Sequence, residues 1–336
     1  AAHTLHQGGL VAIPTETVYG LAANALDPQA VSRIFEAKGR PADNPLIIHI
    51  GALEQLPSLV TTISPAAQLL MDAFWPGPLT LVFEANSLVP SIVRAGLPTV
   101  AVRFPSHPVA QNLINTSGLV LAAPSANTSG KPSPTTAKRV IDDLGGKIDV
   151  IIDGGRVDVG LESTVVDVTS DIPVVLRPGK ITQSMMEVVV GQVLIDPALL
   201  QNQEDNFIPK SPGMKYTHYA PDAQVRIVEG SKDEVIKAIN ILSAQSHNEN
   251  KKVGVMATDE TLPYYTESDI TISLGSRSNL EDIAHALFET LRAFDDANVD
   301  VVYTEAFPNQ AIGHAIMNRL TKAAGNDIIK AISIGG

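Results

Sequence analysis

Cysteine is absent from this chain of 336 residues. A protein without cysteine has no disulfide framework, no thiolate metal site and no cysteine nucleophile. The first residues, AAHTLHQGG, also lack the charged segment and apolar core of a signal peptide. We therefore expect a cytoplasmic protein whose chemistry does not depend on thiols.

Positive charge and long apolar runs are also scarce. The chain has 24 Lys and Arg against 36 Asp and Glu, which gives a formal net charge of −12. That balance argues against a broad, direct nucleic-acid-binding surface, which would be basic. Apolar runs fall short of the roughly 18 residues that a transmembrane helix needs, so no membrane partner is expected.

The common nucleotide-binding and catalytic motifs are missing as well. A P-loop is excluded because Lys131 is followed by Pro132 and Lys147 by Ile148. The sequence also contains no G-x-G-x-x-G turn, no H-E-x-x-H pair and no G-x-S-x-G elbow. Any nucleotide site must therefore be built in another way.

Length and composition predict two folded domains. Hydrophobic residues make up 44% of the chain, and a domain typically takes roughly 100–200 residues. The periodic pattern breaks between Asp196 and Pro212, where polar residues and three prolines indicate a linker. We predict a first domain over 1–195, a linker over 196–222 and a second domain over 223–336.

Both domains are predicted to be α/β. In the first, short apolar runs bounded by Gly or Pro predict strands, and residues 28–39 and 135–144 have helical spacing. In the second, strands at 224–228, 252–257, 269–274 and 299–304 alternate with helices at 231–245, 279–297 and 313–325. That alternation is typical of a smaller, doubly wound parallel sheet of Rossmann-like type.

Three polar clusters in the first domain carry the chemical signal. They are PTETVYGL at 14–21, KGRPADNP at 38–45 and APSANTSGKPS at 123–133. Lys38 and Arg40 place two cations in a loop stiffened by prolines, which suits binding of a polyphosphate. The third cluster offers hydroxyl groups and backbone donors just before a helix, whose N-terminus favours anions.

Each cluster also has a simpler interpretation. Thr, Ser and Asn near helix starts are often caps, and a Lys-x-Arg pair in a loop is often a solvated surface. His49 could be an ordinary strand histidine. The segment Trp75-Pro76-Gly77-Pro78 is typical of a turn with a packed indole.

Together, the motifs are far more specific. The motifs involved are PTETVYGL (14–21), KGRP (38–41), NPL (44–46), WPGPLT (75–80), VRFP (102–105), APSAN (123–127), STV (163–165) and RPG (177–179). This ordered set resembles the YrdC-like family over about residues 5–185. The segment PGMKYTHYAP at 212–221 and the domain after it resemble the longer, two-domain threonylcarbamoyl-AMP synthases of that family.

The resemblance implies both a fold and a reaction. The fold would be an α/β domain with a twisted mixed sheet and a large cavity, followed by an accessory domain. The reaction would convert L-threonine, bicarbonate and ATP into threonylcarbamoyl-AMP and pyrophosphate, for the t6A modification of adenosine 37 in tRNA. Mg2+ would accompany ATP without protein ligands of its own, and downstream proteins would transfer the threonylcarbamoyl group to tRNA.

The resemblance also assigns residues to two groups. Those expected around threonine and its carbamate are Thr15, Thr17, His49, Arg103, Ala123 and Ser163. Those expected around ATP are Lys38, Arg40, Asn44, Thr99, Ser125, Asn127, Ser133 and Arg177, with Lys38 and Arg40 also stabilising the charge that develops on the phosphates. The choice between Thr15 and Thr17 as the closer threonine contact stays open.

The aromatic linker invites a further hypothesis. Tyr216, His218 and Tyr219 could close over the nucleotide and exclude water from a hydrolysable adenylate. Packing between domains is the simpler alternative.

Two rival functions belong to other classes. An RNA-binding module would suit a product destined for tRNA, but the acidic balance disfavours it. A carbamoyl-transfer maturation enzyme can contain a related domain, yet this chain lacks the zinc-finger and acylphosphatase-like segments of such enzymes and has no cysteine to build a zinc finger.

Overall fold

The structure, a computed structural model, describes residues 1–199 and 219–334. These residues form two compact units. The first comprises Ala1–Ser129 and residues 133–199, and the second comprises Gly130–Pro132 and residues 219–334. Most of the linker expected at 196–222 lies outside the described residues, so its boundaries stay a prediction.

The first unit is a mixed sheet with helices. Its strands are β1 (Val11–Ile13), β2 (Gly20–Asn24), β3 (Ile47–His49), β4 (Leu79–Glu84), β5 (Thr99–Arg103), β6 (Leu121–Ala122), β7 (Val150–Ile151), β8 (Thr164–Asp167), β9 (Val174–Arg177) and β10 (Leu194–Ile195). Its helices are α1 (Ala2–His6), α2 (Pro28–Lys38), α3 (Pro65–Phe74), α4 (Ser91–Arg94), α5 (Pro108–Ser117), α6 (Ala137–Leu144) and α7 (Gln183–Val190). The strands follow the order β10-β9-β8-β4-β5-β3-β6-β2-β1-β7, with parallel and antiparallel neighbours.

Helix α2 shows how local sequence sets an element beside the site. The Asp27 side chain accepts hydrogen bonds from the backbone N–H groups of the first turn, and Pro28 suits that turn because it has no N–H to satisfy. The helix ends at Gly39, whose φ of 61° is left-handed. This confirms the helix predicted at 28–39, with Lys38 as its last residue and Arg40 directly after the terminal glycine.

The side chains of strand β5 point alternately to the hydrophobic core and to the opposite face of the sheet. Val100 and Val102 pack into the large hydrophobic core on one face of the sheet. Side chains of a strand alternate between faces, so Thr99, Ala101 and Arg103 lie on the other face. On that face a small apolar cluster adjoins Arg103 and consists of Ile47, Val82, Ala101, Val165 and Leu176.

The second unit contains a parallel sheet. Its strands are β11 (Gln224–Glu229), β12 (Val253–Ala257), β13 (Ile270–Ser273), β14 (Val301–Glu305) and β15 (Ile328–Lys330), in the order β13-β12-β14-β11-β15. Its helices are α8 (Lys232–Asn248), α9 (Leu280–Asp296) and α10 (Ile312–Ala323). All four strand pairings are parallel, which confirms the predicted alternation. The Rossmann-like detail and the large cavity stay predictions.

Membrane association through a helix finds no support in the described ranges. None of the helices within 1–199 and 219–334 is long and apolar enough to cross a bilayer.

Candidate active site

A row of polar side chains crosses the sheet of the first unit. His49 of β3 lies opposite Arg103 of β5, and Arg103 lies opposite Thr80 of β4. All three are buried, with exposures of 3%, 4% and 0%. Polar groups cost free energy when buried unless they are paired, so the partners of these three side chains decide how the row is held.

Arg103 is held in a fixed orientation by three neighbours. Its Nε donates to the Gly77 carbonyl at 3.3 Å, and its Nη1 donates to Thr17 Oγ1 at 2.8 Å. Its Nη2 forms an ion pair with Glu16 Oε1 at 2.6 Å. A guanidinium carries five N–H donors, and these three contacts account for three of them. The planar guanidinium group is thus held in place by three neighbours within the first unit.

Charge and burial set the protonation of the neighbouring groups. Burial alone would raise the pKa of the Glu16 carboxyl, but the charge and hydrogen bond of Arg103 outweigh it and hold that pKa below its usual range. Burial, followed by the positive charge of Arg103, lowers the pKa of His49 to about 3. At neutral pH Glu16 is therefore ionised and His49 is neutral.

Thr15 and Thr17 have different surroundings. Thr15 Oγ1 donates to the Val18 carbonyl at 2.6 Å and accepts from the backbone N–H groups of Thr17 and Val18. That pattern closes the turn between β1 and β2. Thr17 Oγ1 lies 2.8 Å from Thr15 Oγ1 and accepts from Arg103. Of the two hydroxyl groups, only that of Thr17 contacts Arg103.

Ser163 connects two further site residues. Its hydroxyl lies 2.7 Å from Thr80 Oγ1, and Arg177 donates to its carbonyl and its hydroxyl at 3.1 and 3.2 Å. The three side chains have exposures of 4% or less. Ser163, which the sequence places with threonine, and Arg177, which it places with ATP, are therefore in direct contact.

Lys38 holds the loop that carries two of the expected ATP residues. Its Nζ donates to the carbonyls of Ser125 and Asn127 at 2.5 and 2.6 Å, and Ser129 N donates back to the Lys38 carbonyl at 2.9 Å. Lys38 is 2% exposed. Its ammonium group therefore fixes the start of the loop between β6 and α6.

Arg40, Asn44 and Thr99 lie near the start of strands β3 and β5. Arg40 Nη2 donates to the carbonyls of Asn44 and Pro45 at 3.3 Å. The pairing of Ile47 with Ala101 places the segment before β3 beside Thr99, at the start of β5. Thr99 is four residues from Arg103, which is about 13 Å along a strand. The structure therefore does not bring Thr99 and Arg103 together.

The remaining two expected residues are also buried. Ser133 donates to Glu162 Oε1 at 2.5 Å, and both residues are at least nine-tenths buried. Ala123, directly after β6, donates its N–H to the Ile47 carbonyl at 3.0 Å. Ala123 could contribute to a ligand site through its backbone groups, and its small side chain would leave space for a ligand.

Three site residues were missed from the sequence. Glu16 pairs with Arg103, Thr80 bonds Ser163, and Glu162 accepts from Ser133. The signal for Glu16 was its place inside PTETVYGL, and Thr80 closes the motif WPGPLT. Glu162 directly precedes Ser163, but nothing in its spacing distinguishes it from a surface carboxylate.

Two of the three expected gate residues, Tyr216 and His218, lie outside the described residues. Tyr219 is described and belongs to the second unit. Its ring stacks on Phe288 with centroids 5.1 Å apart, and the Arg319 guanidinium lies 5.7 Å from its centroid. Tyr219 is thus packed within the second unit.

A metal site made of protein side chains was not expected. Within 1–199 and 219–334, no group of three or more His, Asp or Glu side chains could hold a metal ion.

Family models cover both units. Residues 3–179 match a family described as "Telomere recombination", which groups the Sua5, YciO and YrdC proteins. Residues 181–325 match the family described as "Threonylcarbamoyl-AMP synthase, C-terminal domain".

Similar proteins extend over the whole length. The threonylcarbamoyl-AMP synthase of Pyrococcus abyssi is 51% identical over 98% of this chain and 94% of its own length. That of Bacillus subtilis is 48% identical over 98% and 93%. The crystal structure of P. abyssi Sua5 complexed with L-threonine superposes with a TM-score of 0.92 at 50% identity, covering 98% of this chain and 94% of that one. The chain therefore belongs to the threonylcarbamoyl-AMP synthase family, in its two-domain form, and with it to the ATP-using transferases of tRNA t6A modification.

Proposed function

We propose that this protein makes threonylcarbamoyl-AMP and pyrophosphate from L-threonine, bicarbonate and ATP. The observation that carries the proposal is the fixed Arg103 fork, with two N–H donors to spare in a buried polar row. A P. abyssi relative with the same fold has been crystallised with L-threonine. The product would then serve separate proteins that transfer the threonylcarbamoyl group to tRNA.

Threonine would bind with its carboxylate on Arg103. The two uncommitted N–H donors suit a carboxylate, and burial strengthens the pairing because water competes less. Thr17 is the better candidate for the closer threonine contact, since its hydroxyl already faces Arg103. Thr15 would act on the shape of the turn instead.

His49 would act as a hydrogen-bond partner and not as a base. Its pKa of about 3 makes it a weak proton acceptor at neutral pH. A neutral imidazole beside Arg103 adds no further positive charge to the pocket. The threonine amine must therefore reach bicarbonate or CO2 as the free amine, with its proton leaving to solvent or to bicarbonate.

The reaction then needs no protein nucleophile. The threonine nitrogen forms a bond to the carbon of CO2, or of bicarbonate with loss of water, and gives a carbamate. A carbamate oxygen attacks the α-phosphorus, and the bond from that phosphorus to the bridging oxygen of the β-phosphate breaks. Pyrophosphate leaves with the bonding electron pair. The protein supplies proximity and charge neutralisation, which accords with a chain that lacks cysteine.

The ATP site would surround the loop after β6. Ser125, Asn127 and Ser133 lie in that loop, and Lys38 fixes its start through two carbonyls. Arg40 would lie against the phosphates together with Lys38, and Asn44, Thr99 and Arg177 complete the expected set. A ligand contact at Asn44 is supported by its buried Oδ1, which has no hydrogen-bond partner within the described ranges and could accept a hydrogen bond from ATP.

Mg2+ is proposed as a companion of ATP. Magnesium often keeps several waters and binds through substrate phosphates. The described side chains do not form a cage for it.

Two proposals concern the surroundings of the site. The first is that Tyr216 and His218 close over the nucleotide. A protein truncated before Ser211 should then release the intermediate or fail to make the product. Unchanged kinetics and product yield of the truncated protein would reject this closure. Function in the cytoplasm is proposed because tRNA and ATP are available there.

The proposed function is tested by measuring pyrophosphate release with ATP alone and after adding threonine, bicarbonate or both. We expect rapid release only with both. Arg40→Ala should then weaken ATP use and Arg103→Ala threonine use. Release that is independent of threonine and bicarbonate would overturn the reaction, and salt-sensitive RNA retention without ATP turnover would favour an RNA-binding module.

A further inference from the structure

The motif WPGPLT at 75–80 contacts two of the residues expected around threonine. Its Gly77 carbonyl accepts from Arg103 Nε at 3.3 Å, and its Thr80 Oγ1 lies 2.7 Å from Ser163 Oγ. Strand β4, which contains Thr80, has β5 on one side and β8 on the other. Arg103 ends β5 and Ser163 directly precedes β8, so Thr80 lies between the two.

Backbone contacts hold the start of β4. The Trp75 indole N–H donates to the Leu79 carbonyl at 2.7 Å, and Thr164 N donates to the Pro78 carbonyl at 3.1 Å. Thr80 follows directly and is fully buried. Its side chain is branched at Cβ, which restricts the rotamers it can adopt. The hydroxyl group of Thr80 is therefore held in a defined position.

The apolar neighbours of Thr80 would accept a valine in its place. Thr80 shares its face of the sheet with Val82 and pairs in register with Val165 of β8. Valine has the same branched shape and suits such a strand. Within the described ranges, the Thr80 hydroxyl has Ser163 as its one hydrogen-bond partner. The contact with Ser163 is thus what distinguishes threonine from valine at this position.

The directions of the hydrogen bonds at Ser163 are limited by Arg177. A serine hydroxyl has one proton and two lone pairs. Arg177 Nη2 can only donate, so it occupies one lone pair of Ser163 Oγ, at 3.2 Å. In the pair of Thr80 and Ser163, either hydroxyl can be the donor. If Thr80 donates, both lone pairs of Ser163 are occupied and its proton is directed to a third group.

An anionic substrate favours Thr80 as the donor. The positive charge of Arg177 makes the Ser163 O–H a stronger donor, and consecutive hydrogen bonds from Thr80 to Ser163 to an anion strengthen one another. In the opposite direction, the Ser163 proton would point to Thr80 and Ser163 would have none for the anion.

We infer that Thr80 is a positioning residue of the threonine site: by donating to Ser163, it directs the Ser163 proton to a carboxylate-type oxygen of threonine or of its carbamate. The motif WPGPLT then orients two groups of the site, Arg103 through the Gly77 carbonyl and Ser163 through Thr80. The inference rests on the proposed function, because it takes Ser163 as a threonine contact.

The test compares the full-length wild type, Thr80→Val, Ser163→Ala and the double variant in threonine-dependent pyrophosphate release. Thr80→Val keeps the shape and removes the hydroxyl, so kcat/KM for threonine should fall about fivefold, the effect of one hydrogen bond. Ser163→Ala should lower it at least about tenfold, because it removes a hydrogen bond to a charged group. Since Thr80 acts through Ser163, adding Thr80→Val to Ser163→Ala should cause no further loss.

Further variants serve as controls. Thr80→Ser keeps the hydroxyl and should recover most of the wild-type kcat/KM. Thr304→Val makes the same substitution at an equally buried threonine of β14 in the second unit and should keep the wild-type value. If Thr80→Val does not fold, Thr80→Cys replaces it. Its S–H is a weak donor, so its kcat/KM should fall below that of Thr80→Ser.

Binding measurements distinguish the two substrate oxygens. Calorimetry with L-threonine in bicarbonate-free buffer reports on the threonine carboxylate. A Kd that is about fivefold weaker in Thr80→Val assigns the Ser163 proton to this carboxylate. An unchanged Kd with a kcat that is about fivefold lower assigns it to the carbamate. Binding of a non-hydrolysable ATP analogue should stay at the wild-type value in either case.

The outcomes separate this inference from the proposed function. A wild type without threonine-dependent pyrophosphate release would contradict the proposed function. A functional wild type with a folded Thr80→Val of unchanged kcat/KM would overturn the inference alone. A loss that is the same with and without Ser163→Ala, or an equal loss of affinity for the ATP analogue, would also overturn it, because Thr80 would then have a general structural role.

Discussion

The Nη2 atom of Arg103 lies 2.6 Å from Oε1 of Glu16, and both side chains are less than one-tenth exposed. Such a pair is costly to bury, because both ions lose their water. The pair orients Arg103, which we propose as the partner of the threonine carboxylate. Glu16 is therefore expected to matter both for stability and for the proposed binding of threonine.

Glu16→Gln should destabilise the protein by about 3–5 kcal/mol, because it leaves the Arg103 charge buried without a counter-ion. The free energy of unfolding from urea denaturation at pH 7 measures this. As a control, Lys138→Gln removes the exposed pair with Asp142 and should cost less than about 1 kcal/mol. Equal losses in the free energy of unfolding would mean that the buried pair contributes no more to stability than the exposed pair.

Arg103→Lys should raise the KM for threonine by about 100-fold and change the KM for ATP little. A lysine keeps the charge but cannot reach Gly77, Thr17 and Glu16 while presenting a fork to a carboxylate. Steady-state pyrophosphate release gives both constants. Arg94→Lys, which alters an arginine bonded to the carbonyls of Val89 and Leu97, should keep wild-type kinetics.

Thr15→Val and Thr17→Val should separate structure from binding. Thr15→Val removes the hydroxyl that closes the turn and should lower Tm more than Thr17→Val does. Thr17→Val should instead raise the KM for threonine about tenfold, the effect of one lost hydrogen bond to a charged group. The opposite assignment of the two effects would show that Thr15 is the closer threonine contact.

Acid should weaken the fold through His49. The unfolded chain takes up a proton at this histidine below about pH 6.5, whereas the folded one does so only near pH 3. The unfolded state therefore binds more protons between these values, and the free energy of unfolding falls as the pH falls, by at most about 1.4 kcal/mol per unit. Glu16, with its lowered pKa, adds a loss in the same direction below about pH 4.5.

The measurement is urea denaturation of wild type and His49→Gln at pH 8, 7, 6 and 5. The difference between the two proteins should stay constant from pH 8 to 7 and should shrink by about 2 kcal/mol by pH 5. A difference that is independent of pH down to 5 would mean that His49 titrates normally in the folded protein.

Local patterns in the sequence were enough to predict the long, regular helices and strands. Helix α2 has its cap, its proline and its terminal glycine in the sequence, and the second unit has a clear alternation of strands and helices. Short elements were missed where local signals are weak. Helix α1 has five residues and no side-chain cap, and strand β15 has three residues.

The site was predicted as a set of residues but not as a set of contacts. The motifs named Arg103, Thr17 and Ser163, yet the pairing of Glu16 with Arg103 depends on how the turn before β2 folds against β5. Contacts of such long range are set by the tertiary fold, and single-sequence patterns carry no record of them.

The central claim is that carbon from bicarbonate and the α-phosphate of ATP end in one molecule with threonine. The most direct measurement incubates the protein with L-threonine, carbon-labelled bicarbonate and α-phosphorus-labelled ATP, and separates the products by chromatography. The account predicts one threonine-dependent product that carries both labels, formed in equal amount with pyrophosphate. Pyrophosphate formed together with AMP that carries no carbon label, at the same rate with and without threonine, would contradict it.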